Sequence, residues 1–300
     1  MPPPRISRQH RKPLPQPRAG TTRTPPPRSG QPRSSQPRSS QPRSSQPRGS
    51  DRWLYGRHAV TAALANPERR WRRLVALAGQ EEEARRLLGT AVATHRGATE
   101  TTIELRDRDG LAALLPSGAV HQGLALDVEP LPEPDLDDLL RELATAAGRQ
   151  VVVVLDQVGD PQNVGAVLRS AAAFGARGVV LAAHGAPPFS GALAKAASGA
   201  LERLPLVRAV NLARALVRLK AAGFWVCGLD AAAEETLAAL DLGPRTVLVL
   251  GSEGRGMRRL VREHCDHLAR LPTSPAQPTL NVANAAAVAL YELARRAIPG

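Results

Sequence analysis

The chain has 300 residues, enough for two domains of ordinary size, and a formal net charge of +13. Residues 1–50 carry eleven of the positive charges and no acid, which leaves 29 basic residues against 27 acidic ones elsewhere. A claim that the folded part binds nucleic acid therefore has to rest on a local site. Cys227 and Cys265 form no CxxC pair, which argues against structural zinc and fits a reducing compartment.

The first 50 residues are unlike the rest. They repeat QPRSS from Gln31, with QPR at 31, 36, 41 and 46. Because this period contains no apolar residue, we expect residues 1–50 to form a disordered basic tail. Two interpretations stay open, an electrostatic tether for RNA and a solvated, dispensable extension. The tail lacks the apolar core of a secretory signal, and its prolines oppose the helix of a transit peptide, so we expect a cytoplasmic location.

Residues 51–129 predict a small α/β domain. Helical periodicity occurs at 57–64, 81–94 and 107–115, and strand patterns occur at 73–78, 99–105 and 124–128. Four arginines, Arg69, Arg70, Arg72 and Arg73, fit either a phosphate contact or an ordinary solvated surface. A proline-rich acidic segment, EPLPEPD at 129–135, separates this domain from the next. Residues 130–149 are predicted to form a linker followed by a helix, and Asp135 is predicted to cap that helix.

Residues 150–300 predict a second, larger α/β domain. The run VVVVL at 151–155 is apolar on both faces, as in a central strand of a parallel sheet. A polar turn, a helical pattern that ends at Gly175 and a second strand follow it. Further strands are predicted at 206–210, 224–229, 246–250 and 268–271, and helices at 192–197, 212–222 and 282–296. This order predicts a Rossmann-like fold, whose ligands bind at the carboxyl ends of the strands.

Three polar segments follow predicted strands of this domain. They are DPQNVGAVLRS at 160–170, LGSEGRGM at 250–257, and PTSPAQPTLN at 272–281. Glycine allows the backbone to approach a ligand closely, although Glu253 also fits an ordinary carboxylate at a helix start. Prolines stiffen the third segment, which is either a ligand-wrapping loop or a plain connection. The GxGxxG fingerprint is absent, which disfavours a nicotinamide-dependent dehydrogenase.

Together these segments resemble the three motifs of the SpoU, or TrmH, family of RNA ribose 2′-O-methyltransferases. The resemblance extends from Tyr55 to about Arg296. The segments YGRHAV at 55–60 and AVHQG at 119–123 resemble those of one subgroup of the family. Members of that subgroup carry an N-terminal RNA-binding domain similar to ribosomal protein L30e. The resemblance implies a trefoil-knotted catalytic domain, a homodimer, and S-adenosylmethionine held by the backbone of Gly251, Leu271 and Leu280. It implies catalytic roles for Asn163, Arg169, Glu253, Thr279 and Asn281.

The chemistry also sets requirements of its own. A protonated ribose hydroxyl is a poor nucleophile, so methyl transfer needs alignment and removal of a proton. The resemblance assigns this activation to Arg169, but a guanidinium stays protonated in proteins and is a weak candidate for a base. We expect Arg169 to grip the adjacent phosphate bidentately, and that phosphate or a desolvated guanidine to take the proton. Asn163 would orient Arg169 or the ribose, Glu253 would fix Arg169 or its own loop, and Asn281 would position the donor or the hydroxyl.

Two positions depart from the family pattern. Thr279 and Ala283 stand where serine is usual, and the alanine loses a hydrogen bond that contributes about 1 kcal/mol. We predict a cytoplasmic methyltransferase that uses S-adenosylmethionine to methylate a guanosine ribose in 23S ribosomal RNA. Transfer RNA is the alternative substrate, and a catalytically weak RNA-binding or assembly factor is the alternative class. We expect no metal and no membrane association.

Overall fold

The structure, a computed structural model, describes residues 52–94 and 102–296. The predicted tail, residues 1–50, and the start of the strand predicted at 99–105 lie outside the described residues. Inside them the chain forms two sheets, one of four strands and one of six. None of the helices in this part of the chain is long and apolar enough to cross a membrane.

The first sheet is a mixed sheet with helices beside it. Its elements are β1 (Trp53–Tyr55), α1 (Arg57–Ala65), β2 (Trp71–Leu77), α2 (Glu81–Thr94), β3 (Thr102–Arg106), α3 (Arg108–Ala112) and β4 (Leu124–Val128). The strand order is β1-β4-β2-β3, in which β4 runs antiparallel to both β1 and β2. The elements predicted for this region are present, but α3 is shorter than predicted. The sequence did not predict β1, because three residues are too few to show a period.

The second sheet is parallel throughout. Its elements are α4 (Leu136–Thr145), β5 (Gln150–Asp156), α5 (Pro161–Ala173), β6 (Gly178–Ala182), α6 (Gly191–Ala197), β7 (Leu206–Ala209), α7 (Leu212–Ala221), β8 (Trp225–Leu229), β9 (Arg245–Gly251), α8 (Arg259–Glu263), β10 (His267–Ala269) and α9 (Val282–Arg295). The strand order is β10-β8-β9-β5-β6-β7. The α/β fold with a parallel sheet is confirmed; α8, a single short turn, was not predicted.

Strand β5 lies near the middle of this sheet. All seven of its residues are buried, which explains why the sequence is apolar on both faces of the strand. It pairs with β9 on one side and β6 on the other. The chain leaves β5 towards β6 and β7, and later returns on the other side as β8 and β9, so the strand order reverses beside β5. In open α/β sheets such a reversal creates a crevice at the carboxyl ends of the strands.

Helix α5 begins at this crevice. Asp160 caps it by accepting the backbone N–H groups of Gln162 at 3.3 Å and Asn163 at 3.0 Å, and Pro161 occupies the first turn. Farther along, Gly165 allows α6 to approach closely, since a Cβ there would lie 2.3 Å from the Cβ of Ala196. The cap and the close packing fix the position of Asn163 in the first turn.

A buried ion pair links the chain just before β2 to the region of the second sheet. Arg69 donates to both carboxylate oxygens of Glu202, which lies in a short 3-10 helix, and the Nε–Oε2 distance is 3.1 Å. Arg69 also donates to the Glu129 carbonyl at 2.9 Å, and Asn66 donates to Glu202 at 2.9 Å. The side chains of Arg69 and Glu202 are only 4% and 3% exposed. Arg69 is therefore a structural residue and does not present a charge to phosphates.

The other three arginines of the cluster differ in their surroundings. Arg73 pairs with Glu104 at 2.7 Å, and Arg72 lies 3.6 Å from a Glu129 oxygen. Arg70 is exposed. Arg69 therefore fits neither a phosphate contact nor a solvated surface, because the charge pattern of the sequence does not show which carboxylates the fold brings to these arginines. For Arg70, Arg72 and Arg73 both interpretations stay open.

Replacing Glu202 with alanine is expected to lower the free energy of unfolding by about 3–5 kcal/mol, because the Arg69 guanidinium is left buried without its partner. The double variant Arg69→Met/Glu202→Leu should lower the free energy of unfolding much less, since it removes both charges and fills the space with apolar side chains. Urea denaturation of the two variants measures the difference. Equal losses would contradict the view that an uncompensated charge causes the destabilisation.

Candidate active site

A cavity of about 440 Å³ opens at the carboxyl ends of β8, β9 and β10. It is lined by residues 229–231, 250–257, Arg262, 269–271, Thr273, 278–280, Val282 and Ala285. The three residues predicted to hold a cofactor, Gly251, Leu271 and Leu280, all lie in this lining, as do Glu253 and Thr279. The fold thus brings together loops that are separated in sequence.

The loop after β9 forms one wall of the cavity. Ser252 and Gly256 close it at the base with two backbone hydrogen bonds of 3.2 Å and 2.9 Å. Gly251 starts the loop, and a Cβ there would lie 2.1 Å from the carbonyl carbon of Gly256 and 2.2 Å from the nitrogen of Met257. Both neighbours are backbone atoms, so no side chain fits at Gly251 without a shift of the loop.

Three of the predicted catalytic side chains form one hydrogen-bonded network. Asn163 donates from Nδ2 to Oε1 of Glu253 at 3.2 Å, and Asn281 donates from Nδ2 to Oδ1 of Asn163 at 3.0 Å. Asn281 also donates to Oε1 of Glu253, and the backbone N–H of Val282 reaches the same oxygen at 3.3 Å. The network therefore links α5, the loop after β9 and the start of α9.

Asn281 has a second function, because it is also the N-cap of α9. Its Oδ1 accepts the backbone N–H groups of Ala283 at 2.8 Å and Asn284 at 3.4 Å. The oxygen is thus used by the helix while the Nδ2 group is used by the network, which fixes the orientation of the amide. Asn284, the neighbour of Ala283, is exposed.

Thr279 and Arg169 lie outside this network. Thr279 is exposed and lines the cavity, and its carbonyl accepts an N–H of Gln277 at 3.3 Å. Arg169 is exposed on α5, six residues after Asn163, which corresponds to about 9 Å along the helix axis. Its guanidinium has no hydrogen bond or ion pair within residues 52–94 and 102–296. Neither Asn163 nor Glu253 orients Arg169 in this structure; each engages the other instead.

A carboxylate that sequence reasoning passed over, Asp156, holds the glycine loop in place. It ends β5, is 0% exposed, and lies opposite Gly251 in the β5–β9 register. Its Oδ2 accepts the backbone N–H of Arg258 at 2.7 Å and its Oδ1 accepts Nε of the same arginine at 2.7 Å. Asp156 therefore contacts the chain at both ends of the loop. An acid that closes an otherwise fully apolar run was the available signal.

The charged groups around the cavity are mostly basic. Arg255, Arg262 and Arg270 line it, and Arg262 pairs with Asp230. Burial raises the pKa of the Cys227 and Cys265 thiols to about 12, so neither is a thiolate nucleophile at neutral pH. Within the described ranges, no group of three or more His, Cys, Asp or Glu residues is placed to hold a metal ion.

Two family profiles match the chain. The SpoU rRNA Methylase family matches residues 150–291, and the RNA 2′-O ribose methyltransferase substrate binding family matches residues 53–134. The 23S rRNA (guanosine-2′-O-)-methyltransferase RlmB of Pseudomonas aeruginosa is 39% identical over 249 residues, which cover 82% of this chain and 97% of that protein. The chain belongs to the SpoU rRNA methylase family. The family predicted from the three motifs is thereby confirmed.

Two further matches support the same assignment. An uncharacterized tRNA/rRNA methyltransferase of Synechocystis is 38% identical over 81% of this chain, although the alignment spans only 62% of that longer protein. The SpoU methyltransferase AviRb of Streptomyces viridochromogenes, in complex with the cofactor AdoMet, matches with a TM-score of 0.65 and 25% identity. That match covers 83% of this chain and 91% of AviRb. As a SpoU-family protein, the chain is an RNA methyltransferase.

Proposed function

We propose that this protein transfers a methyl group from S-adenosylmethionine to the 2′-hydroxyl of a guanosine ribose in 23S ribosomal RNA. The observation that carries the proposal is the glycine-walled cavity beside the Asn163–Glu253–Asn281 network. The P. aeruginosa relative, by its name, has this activity on 23S ribosomal RNA, and it aligns over almost its whole length.

The cavity fits the proposed donor. Its volume of about 440 Å³ lies in the usual range for small-molecule sites, and glycines at 251, 254 and 256 leave backbone groups uncovered. The backbone of Gly251, Leu271 and Leu280 would hold S-adenosylmethionine, which supplies an electrophilic methyl group when it is bound. The role of the loops is to hold this donor against the network.

The residues proposed to surround the ribose 2′-hydroxyl have different roles. Glu253 Oε1 already accepts three N–H groups, so this oxygen anchors the loop, and Asn163 and Asn281 hold each other in fixed orientations. Arg169, which is exposed and without a protein partner in the described ranges, is free to grip an RNA phosphate bidentately. That phosphate is our preferred acceptor for the hydroxyl proton. Thr279 lines the cavity and would contact the donor or the ribose.

Replacing Asp156 with asparagine is expected to weaken S-adenosylmethionine binding about tenfold, because the change removes the charged acceptor of both Arg258 hydrogen bonds, which hold the end of the loop just after Met257. Such bonds contribute about 1.5–3 kcal/mol, and each 1.4 kcal/mol is about a factor of ten in affinity. Titration calorimetry measures the effect. Asp127 offers a matched control, since it is 1% exposed and accepts Nε of Arg52 at 2.8 Å in the first sheet.

Asp127→Asn should lower the thermal midpoint of unfolding as Asp156→Asn does, but leave donor affinity unchanged. Equal donor affinities in the two variants would show that Asp156 has only a general structural role.

Several finer features of the fold also remain proposals. We propose an L30e-like RNA-binding domain at 51–129, a linker and helix at 130–149, a catalytic domain at 150–300, and a tail at 1–50. We propose a trefoil knot through the loop 272–281, which the family resemblance implies. Helix α9 packs against α5, where the ring centroids of Phe174 and Tyr291 lie 5.9 Å apart in an edge-to-face arrangement. The substrate-binding profile over residues 53–134 supports the RNA-binding role of the first domain.

We also propose that the protein is a cytoplasmic homodimer. Val288 and Tyr291 of α9 are 47% and 56% exposed and lie three residues apart on one face of the helix, which supports a subunit contact there. Light scattering of the full chain should give twice the monomer mass. The same measurement on Tyr291→Glu should give the monomer mass if α9 forms the contact.

The decisive experiment is a map of ribose methylation across ribosomal and transfer RNA in a strain that lacks the gene. Loss of one guanosine 2′-O-methyl mark in 23S ribosomal RNA is expected. Loss of a transfer RNA mark instead would establish the alternative substrate. An unchanged map, together with no stoichiometric binding of S-adenosylmethionine in calorimetry, would favour an RNA-binding or assembly factor.

A further inference from the structure

A group of basic residues lies where the first sheet meets α6, and the reaction described above does not use it. Lys195 of α6 donates to the carbonyl of Val120, and its Nζ lies 6.0 Å from the centre of the Tyr55 ring. The next residue in the loop is His121, and Arg108 begins α3. Arg108, His121 and Lys195 are called the junction cluster below.

The hydrogen bonding of His121 shows which of its two ring nitrogens carries the hydrogen. Its Nδ1 lies 3.1 Å from the backbone nitrogen of Gly123, which can only donate, so Nδ1 is the acceptor and Nε2 carries the hydrogen. Burial lowers the pKa of His121, and the positive charges of Arg108 and Lys195 lower it further. The ring is therefore neutral at pH 7 and offers one N–H donor, for which the described residues provide no acceptor.

The two cations of the cluster lack counter-charges. Neither Lys195 nor Arg108 forms an ion pair with any residue in the ranges 52–94 and 102–296. Burial lowers the pKa of Lys195, which means that its ammonium group has lost hydration without gaining an anion. Two carboxylates on the helices beside the first sheet are engaged elsewhere: Asp107, the N-cap of α3, accepts the N–H of Gly110 at 2.8 Å, and Glu83 of α2 lies 2.7 Å from Arg57.

The loop that carries His121 is held in a strained conformation. Gln122 has φ +52°, which is unfavourable for a residue other than glycine. Its side chain is tied down, because Oε1 accepts the backbone N–H of Arg57 at 3.2 Å. Strain of this kind typically accompanies binding sites, where it holds groups in place before a ligand arrives. The N–H donor of His121 is therefore presented by a fixed loop.

We propose that the junction cluster binds a phosphate of the substrate RNA. All three side chains offer hydrogen-bond donors and two carry charge, which suits a phosphate oxygen; a base edge would also require acceptors. Lys195 belongs to the layer of the second sheet, whereas Arg108 and His121 belong to the first. One phosphate would thus bridge the RNA-binding and catalytic parts of the chain. The inference rests on the proposed function, since it needs an RNA substrate.

Binding of an unmodified 23S ribosomal RNA transcript to the full chain, measured by filter binding over a series of KCl concentrations, tests the proposal. Arg108→Met and Lys195→Met keep the apolar stems. Each should reduce the slope of log affinity against log salt, and the two changes combined should reduce it by about 0.7–0.9, the contribution of the one phosphate that both cations contact. His121→Phe should weaken binding severalfold and leave the slope unchanged, because the lost donor is neutral. S-adenosylmethionine affinity should stay at the wild-type value in all three.

Arg214→Met is the matched control, because Arg214 is an exposed arginine on α7 with no ion pair in the described residues. It should keep the wild-type slope. Slopes in Arg108→Met and Lys195→Met equal to that of Arg214→Met would overturn the proposal, provided that thermal unfolding shows folded proteins. If the wild-type chain bound no RNA, the proposed function itself would be wrong. If the wild-type chain bound RNA and the junction-cluster variants bound it with the same slope, only the junction-cluster proposal would be wrong.

Discussion

Arg169→Ala is expected to lower kcat for RNA methylation by about 100-fold or more, the usual effect of removing one group that stabilises a transition state. The side chain is exposed and has no partner in the described chain, so the midpoint of thermal unfolding should not change. S-adenosylmethionine affinity should not change either, because Arg169 is not in the cavity lining. Transfer of a labelled methyl group to a 23S ribosomal RNA transcript, measured in single turnovers, gives the rate.

Two further variants make this result specific. Arg169→Lys keeps the charge but loses the planar pair of donors, and we expect it to remain close to the alanine variant. Arg214→Ala removes an exposed arginine from α7 and should retain full activity. A lysine variant with nearly wild-type turnover would rule out the bidentate phosphate grip and leave only a requirement for positive charge.

Gly251→Ala is expected to weaken S-adenosylmethionine binding on the order of 100-fold. The added methyl group would lie 2.1 Å and 2.2 Å from backbone atoms of Gly256 and Met257, and neither can move without opening the loop. Overpacking of this kind costs about 1–3 kcal/mol, and each 1.4 kcal/mol changes affinity about tenfold. Calorimetry with the full chain measures the dissociation constant.

Gly89 provides the comparison for this variant. It lies within α2, and a Cβ there would meet nothing within 4 Å. Gly89→Ala should therefore stabilise the protein by about 0.4–1 kcal/mol, since alanine restricts the unfolded chain, and leave donor binding unchanged. Donor binding in Gly251→Ala at the level of Gly89→Ala would show that the loop does not need its close backbone approach.

The sequence predicted the second sheet well because its strands are continuous apolar runs and its helices have regular periods. The run at 151–155 is buried on both faces as predicted, and Asp135 caps α4 with a complete capping box. The short elements β1 and α8 were missed, since three and five residues carry too little periodicity. Parallel pairing between distant strands also cannot be read from a local pattern.

The site was predicted less completely. Motif residues after separate strands were expected to converge, and Asn163, Glu253 and Asn281 do form one network. The sequence could not show that Arg169 is not part of this network, or that Asp156 secures the glycine loop. Arg69 illustrates the same limit, because its partner Glu202 lies 133 residues away in sequence. Such pairings depend on tertiary structure, and charge counts carry no information about them.

The double use of the Asn281 amide has a consequence for biosynthesis. Its oxygen caps α9, while its nitrogen joins Asn163 and Glu253, so helix docking and site assembly occur together. A nascent chain that has exposed both α5 and the loop after β9 still lacks the last member of the network. Catalytic competence should therefore arise only after α9 has left the ribosome exit tunnel and docked, in an enzyme whose proposed substrate is ribosomal RNA.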